Sequence, residues 1–391
     1  MINTQDYSTK TNLIPRKNTM TKEAWGIALD IGYSGVKGMS PNMVFCFPSF
    51  ARRFSGQTIA FGEPDPDEIQ YRDENGAVWF VGKAAQNILA SDDSNDSLHS
   101  LYGRNRYFSP MFTVLARTGL GLGMMDNEFG DPKDKALFLQ TGLPPAYLKS
   151  DVRDLKEVLC GHHVFDLRVG GSAWKHFDFE LSEDSIRVMA QPMGSLLSAA
   201  LSNDAKMIPE SAKYFNSNVM VFDAGFGTVD IYSVKNRNVE SSESYDDLGM
   251  KAVLMTTADK IFEKYGVEVP VHAMQKCLRE GYVKSFDRKT MRTRNEDFSD
   301  ILEEATKKVC MDAIERLKQS YNFLLDYDYL LITGGTGAAW QEIISNHFSG
   351  MESLHIITGN QNDALSHIFS NVRGYYYYQA GKLISQYRTT K

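Results

Sequence analysis

Three short apolar runs, each ending at a glycine turn, constrain this chain more than any other feature. They are Trp25-Gly-Ile-Ala-Leu-Asp30 before Ile31-Gly-Tyr-Ser-Gly35, Asn218-Val-Met-Val-Phe-Asp223 before Ala224-Gly-Phe-Gly-Thr228, and Tyr329-Leu-Leu-Ile-Thr333 before Gly334-Gly-Thr-Gly337. Runs of that length predict buried strands, and the glycines predict tight turns at their ends. The first two runs also end in an acid. A buried carboxylate is costly without a partner, so Asp30 and Asp223 call for a shared cation or for backbone donors around each.

The segments between these runs alternate in type. Ile186 to Leu201 begins with strand-like residues, then passes through Gln191-Pro192 into a helix of small residues, Met193 to Leu201, with the proline in its first turn. Phe298, Ile301, Leu302, Ala305, Val309, Ala313, Leu317, Tyr321 and Leu324 recur at steps of one, three or four, which predicts a long amphipathic helix with Ser299 as N-cap. Ala136 to Thr141 reads as another buried strand, stopped by Gly142-Leu-Pro-Pro145. Asn75-Gly76 between Ile69–Tyr71 and Val78–Val81 predicts a hairpin with a type I′ turn, inside a small β-rich subdomain from about Phe45 to Asn105. The first 22 residues, rich in Asn, Thr and Lys and without an apolar h-region, read as a flexible tail and not as a secretion signal. Strands alternating with helices and ending at glycine turns define an α/β protein whose site lies at strand carboxyl ends.

Composition narrows the function classes. A chain of 391 residues is long enough for two domains around a deep cleft. Its net charge of -7 supplies no basic field for direct nucleic-acid binding. Cys46, Cys160, Cys277 and Cys310 show no ligand spacing, which argues against zinc or a disulfide framework and fits a reducing cytoplasm. The longest uncharged stretch, Val188 to Asn203, is too polar and short to span a membrane.

Each turn suggests its own chemistry. In Asp30-Ile-Gly-Tyr-Ser-Gly-Val-Lys37 the glycines let backbone N–H groups surround a phosphate, Lys37 adds positive charge, and Asp30 can hold a metal directly or through water. A plain hairpin with a surface lysine accounts for this turn equally well when it is taken alone. Asp223-Ala-Gly-Phe-Gly-Thr-Val-Asp230 follows the same logic, and two acids on separate strands can flank one Mg²⁺ bound to phosphate oxygens. Gly334-Gly-Thr-Gly337 has neither acid nor lysine and suits a flat group such as a purine, although a simple strand-to-helix corner explains it by itself. Gln191, at a helix start, can orient a water for attack on a terminal phosphoryl group, or can be just a polar helix-start residue.

In this order the segments resemble one superfamily, the actin, sugar-kinase and heat-shock-chaperone ATPases. Asp30 to Lys37 is similar to its first phosphate motif, Gln191-Pro192 and the following helix to its first connecting segment, and Asp223 to Asp230 to its second phosphate motif. Gly334 to Gly337 is similar to its adenosine motif, and Asn362 to Ala380 to its second connecting helix. Gly76-Ala-Val-Trp-Phe-Val-Gly-Lys-Ala84 and Gln140-Thr-Gly-Leu-Pro-Pro-Ala-Tyr147 further resemble the plasmid-segregating actin-like proteins of the ParM group.

The resemblance implies a two-domain actin-like, ribonuclease-H-like α/β fold with nucleotide in the interdomain cleft. It implies domain I over 23–190, domain II over 191–360, and C-terminal helices at 361–391 returning to domain I. It puts Asp30 and Asp223 on the hydration shell of Mg²⁺, Lys37 on phosphate oxygens and Gln191 on the attacking water. Gly32, Ser34, Gly35, Gly225, Gly227 and Thr228 line the phosphates, and Gly334, Gly335 and Thr336 lie against the nucleoside. Tyr33 stands where actin and ParM have serine, which leaves the hydroxyl contact to Ser34 or to backbone. Gln191 matches actin, where ParM has glutamate. Lys276 and Arg279, on a predicted helix, are the candidates for contact with the base. The implied activity is hydrolysis of ATP, with GTP the alternative, coupled to a head-to-tail filament. The implied partners are the protein itself and a DNA-binding adaptor at a centromere-like site. A small-molecule kinase with Asp230 as base and a chaperone-like or assembly ATPase are the competing readings. The run Tyr375 to Tyr378 reads as mixed core and surface of one helix rather than a polymer contact.

Overall fold

A computed structural model describes residues 2–54, 64–87 and 104–389. The first apolar run is strand β2 (Ala24–Ile31), buried at every residue, as a strand covered on both faces must be. It turns into β3 (Gly35–Ser40), with Asp30 opposite Lys37, and β4 (Met43–Pro48) follows antiparallel. β8 (Ala136–Leu143) and β11 (Ile186–Ala190) extend the sheet in parallel, and β1 (Asn12–Pro15) pairs with the outer edge of β4. The order is β1-β4-β3-β2-β8-β11.

The second apolar run repeats this plan. β12 (Val219–Ala224) turns into β13 (Val229–Lys235) with Asp223 opposite Asp230, and β14 (Asn238–Tyr245) follows antiparallel. β17 (Tyr329–Thr333) and β18 (His355–Thr358) add in parallel, giving the order β14-β13-β12-β17-β18. Apart from β1, the two sheets share one order and one set of directions. Asp30 and Asp223 therefore occupy equivalent places, each second from last in its strand.

The helices are α1 (Lys83–Asn87), α2 (Pro110–Gly123), α3 (Leu148–Leu159), α4 (Gln191–Ala200), α5 (Ser211–Asn216), α6 (Met250–Tyr265), α7 (Val271–Glu280), α8 (Ser299–Ser320), α9 (Gly335–His347) and α10 (Ser370–Thr389). One apolar core gathers around Trp25, Phe45 and Phe112, and another around Phe222, Leu302 and Trp340. Helices α4 and α10 cross between the two sheets at bare backbone. A Cβ on Gly374 would lie 1.7 Å from the Gly194 carbonyl oxygen, and one on Gly194 would lie 2.4 Å from a ring carbon of Tyr375. Tyr375, Tyr376 and Tyr377 are all buried, so the tyrosine run is mostly core. Arg373, with no exposure, is held by Asp363, the Ser198 and Leu201 carbonyls and Asn203.

The structure corrects several sequence expectations. The small sheet, β10-β9-β6-β7-β5, is not confined to 45–105: β5 (Ala51–Arg53), β6 (Ile69–Asp73) and β7 (Val78–Val81) are completed by β9 (Gly161–Val169) and β10 (Lys175–Leu181). Phe45 belongs to the main sheet, and 55–63 and 88–103 lie outside the described residues. At the β6–β7 hairpin Gly76 has φ +82° but Asn75 does not have positive φ, so the turn is not type I′. Asp73 Oδ1 instead accepts from the N–H groups of Asn75 and Ala77. Ser299 is the first residue of α8 and not its cap, because Asp297 Oδ1 accepts from both the N–H and the hydroxyl of Ser299. The expected tail is docked along both halves. Its residues cap the carboxyl end of α7, whose last carbonyls have no partner within the helix, and cover the free edge of β4. The hairpin β15 (Tyr282–Asp287) and β16 (Arg292–Asp297) stands apart from the large sheets.

Candidate active site

Because both sheets end their central strands toward each other, the glycine turns face one cavity of about 400 Å³, of the size of small-ligand sites. Asp30, Gly32, Ser34, Gly35, Lys37, Gln191, Asp223, Gly225, Gly227, Thr228, Gly334, Gly335 and Thr336 all line it. The structure thus brings together residues that lie as far apart in the chain as Asp30 and Thr336.

On the first half, Lys37 Nζ lies 3.3 Å from Asp30 Oδ2, folded over Gly32, where a Cβ would sit 3.0 Å from the amine. Gln191, the first residue of α4 and part of the cavity lining, donates from Nε2 to Asp30 Oδ1 at 2.8 Å, which leaves its carbonyl oxygen as an acceptor. On the second half, Asp223 Oδ2 accepts from Asn371 Nδ2 at 2.9 Å, and Asn371 is fixed in turn by Ser195, itself bonded to Thr333. The third turn is locked to the second: Thr336 Oγ1 donates to the Gly225 carbonyl at 2.7 Å. Gly334 has φ +85°, and a Cβ there would lie 2.2 Å from the Ala224 carbonyl oxygen, so only glycine fits.

The electrostatics set the two halves apart. Burial pushes the Asp223 carboxyl up to about 6, against the bond from Asn371 and aided by the charge of Asp30. Burial and then the charge of Asp223 push Asp230 up to about 8. Asp230 Oδ2 accepts from the Thr228 hydroxyl, and its other oxygen is buried with no hydrogen-bond partner among the described residues. Carboxyls placed like this favour an incoming cation. Among the described residues no cluster of three or more His, Cys, Asp or Glu could hold a metal by itself. Two carboxylates are nevertheless enough for Mg²⁺, which keeps its waters and binds mainly through substrate phosphates.

Sequence reasoning gave no role to three side chains of the site. Tyr33 reaches across the cleft from the first loop to the second, its ring 2.8 Å from where a Cβ of Gly227 would be. Arg106 lies beneath it, buried, with its guanidinium 4.7 Å from the Tyr33 ring centre and an Nη2 donor on the Ile31 carbonyl. Burial lowers the pKa of Arg106, opposed by Tyr107, Tyr33 and Asp30. Asn371 lies on the C-terminal helix and carries no motif that would mark it. Lys276 and Arg279 are not at the cavity. Lys276 points outward to Glu280, and Arg279 donates to Gln86 Oε1 and Asn87 Oδ1, each at 3.0 Å, because α7 turns its Met274–Leu278 face inward and these two side chains away.

The duplicated sheets, the crossing helices between them and the cleft at their shared ends define an actin-like fold of two domains. Residues 28–194 match the family model described as the N-terminal domain of actin-like proteins. Among solved structures the fold is similar to ParM proteins. A pCBH ParM non-polymerisable quadruple mutant matches at 20% identity and TM-score 0.68, over 92% of this chain and 99% of that one. The subunit of a 15-stranded ParM filament from Clostridium botulinum matches at 20% identity and TM-score 0.66, over 92% and 99%. An archaeal actin homologue, Ta0583, in complex with ADP matches at 16% identity and TM-score 0.61, over 91% and 99%. No curated protein sequence matches the chain. No helix among the described residues is long and apolar enough to cross a membrane.

Proposed function

We propose that this chain is a nucleotide-driven polymerising protein whose filaments move plasmid DNA in the cytoplasm, with ATP as the nucleotide and GTP as the alternative. The observation that carries the reading is the convergence of three glycine turns and two equivalent buried carboxylates on one cavity. The frame is domain I over 23–190, domain II over 191–360, and 361–391 returning to the first. Mg²⁺, held through water by Asp30 and Asp223, neutralises phosphate charge when bound with the nucleotide. Lys37 offers its amine to phosphate oxygens. The glycines of the first two turns let backbone N–H groups approach the phosphates, and Gly334 to Thr336 pack against the nucleoside. Gln191, its amide nitrogen anchored on Asp30, presents its carbonyl oxygen to orient the attacking water. A neighbour in fold that is described as a filament supports head-to-tail self-assembly. The acidic net charge supports contact with DNA through a separate basic adaptor.

The kinase reading needs a base at the terminal phosphate, and Asp230, which lines the cavity, is the carboxyl on which it would rest. The test is light scattering with parallel phosphate release after addition of Mg·ATP or Mg·GTP, followed by pelleting. Scattering that rises on addition and decays as phosphate appears supports the reading. Flat scattering with nucleotide hydrolysed overturns the filament role.

A further inference from the structure

We infer that residues 2–12 are part of the nucleotide site: they form a strap that walls the nucleoside end of the cleft and retains the bound nucleotide. The inference rests on the nucleotide reading above. The strap is anchored on both halves. On the second half, the Thr4 hydroxyl donates to the Leu278 carbonyl at 2.9 Å and Gln5 Nε2 to the Arg279 carbonyl at 3.2 Å, capping the last turn of α7. The backbone N–H and the hydroxyl of Thr9 both donate to Gln275 Oε1, at 2.9 and 3.1 Å. On the first half, Asn12 opens the strand paired with β4, and the Cys46 thiol donates to the Lys10 carbonyl. Between these anchors, residues from Asp6 to Asn12 line the same cavity as Asp30 and Asp223.

The sheet order says which end they wall. Gln191 follows β11, on one flank of β2, and the strap lies beyond β4 on the other. Asn12, Cys46, Lys37 and Asp30 stand in one row across four strands, and strand spacing puts the strap about 14 Å from Asp30. The turn His367–Phe369 contacts β3 on that same flank, and its Ile368 side chain lies 3.3 Å from where a Cβ of Gly335 would be. The site therefore runs from Gln191 at the terminal phosphate, past the glycine turns, to the strap beside the nucleoside. A ligand leaving by that flank has to displace polar contacts that join the two halves.

The experiment is release of a fluorescent N-methylanthraniloyl adenine or guanine nucleotide, chased with unlabelled nucleotide, from the full chain, a variant lacking residues 2–10, and Gln275→Ala. Gln275→Ala frees Thr9 but leaves Thr4 and Gln5 on α7, so it reports even if the truncated chain fails to fold. Release about tenfold faster, with an unchanged melting profile for Gln275→Ala, is the expected result. Wild-type binding with release from folded Gln275→Ala at the wild-type rate overturns the strap while leaving the nucleotide reading intact. No binding by the wild type overturns both.

Discussion

Replacing Gly374 by alanine sets two physical effects against each other in one helix. Alanine in place of glycine inside a helix is worth about 1 kcal/mol from backbone propensity, so α10 considered alone gains from Gly374→Ala. The packing runs the other way. The new methyl would lie 1.7 Å from the Gly194 carbonyl oxygen and 2.9 Å from the Ser198 nitrogen, both on the backbone of α4, which cannot rotate aside. Restoring an ordinary separation near 3.5 Å moves the helices apart by about 1.5 Å or more, a gap that forfeits roughly half of the dispersion attraction along the contact. Val372, Tyr375, Tyr376 and Tyr377, all buried on α10, share that loss. Overpacking costs about 1–3 kcal/mol before the loss is counted, so the net expectation is destabilisation by about 2 kcal/mol. Urea unfolding followed by circular dichroism measures it as a lower midpoint. A variant as stable as the wild type, or more stable, would mean that the helices do not approach at bare backbone, and the argument for the crossing would fail.

Further predictions concern the cleft and its supports. The carboxyls of Asp223 and Asp230 stand above the ordinary aspartate value in the folded protein, so folding favours their protonated forms and this contribution is lost as pH rises from about 4 to about 8. Nucleotide-free protein should become less stable across that window and Asp223→Asn less steeply so; parallel pH curves for the two would refute the burial argument. Asp223→Ala should abolish phosphate release, and Gln191→Ala should slow it about 100-fold while leaving assembly intact; unchanged turnover in both sinks the site assignment. Arg373→Met should lower stability by about 2 kcal/mol, since Asp363 and the Ser198 and Leu201 carbonyls each lose one donor and keep only those from Arg16 or Asn362; a change under about 0.5 kcal/mol in urea unfolding would contradict that.

The glycine turns were legible because their chemistry is local: an apolar run, an acid and two glycines announce a buried strand with a tight end wherever they occur. Their convergence was legible only through the resemblance, since nothing in the spacing from Asp30 to Thr336 fixes a distance. The strap was misread because a segment rich in Asn, Thr and Lys has no hydrophobic periodicity. Its anchors are carbonyls at the end of α7 and the edge of β4, features of other segments that its own composition does not reveal. Asn371 and Arg106 share that limit. Each matters through one hydrogen bond or one ring across the fold, and neither a helix pattern nor a turn motif singles out such a residue. Strands β9 and β10, far along the chain from the strands they complete, escaped for the same reason of distance.

The duplicated hairpins match in backbone and differ in charge. At the place where the first half pairs Asp30 with Lys37, the second pairs Asp223 with Asp230. A two-fold frame of this kind offers a ligand two rotation-related orientations, and this substitution of acid for amine helps make them unequal. The side with the lysine offers a resident positive charge, and the side with two acids asks for one from outside. One strand position thus gives the cleft a basic wall and an acidic wall.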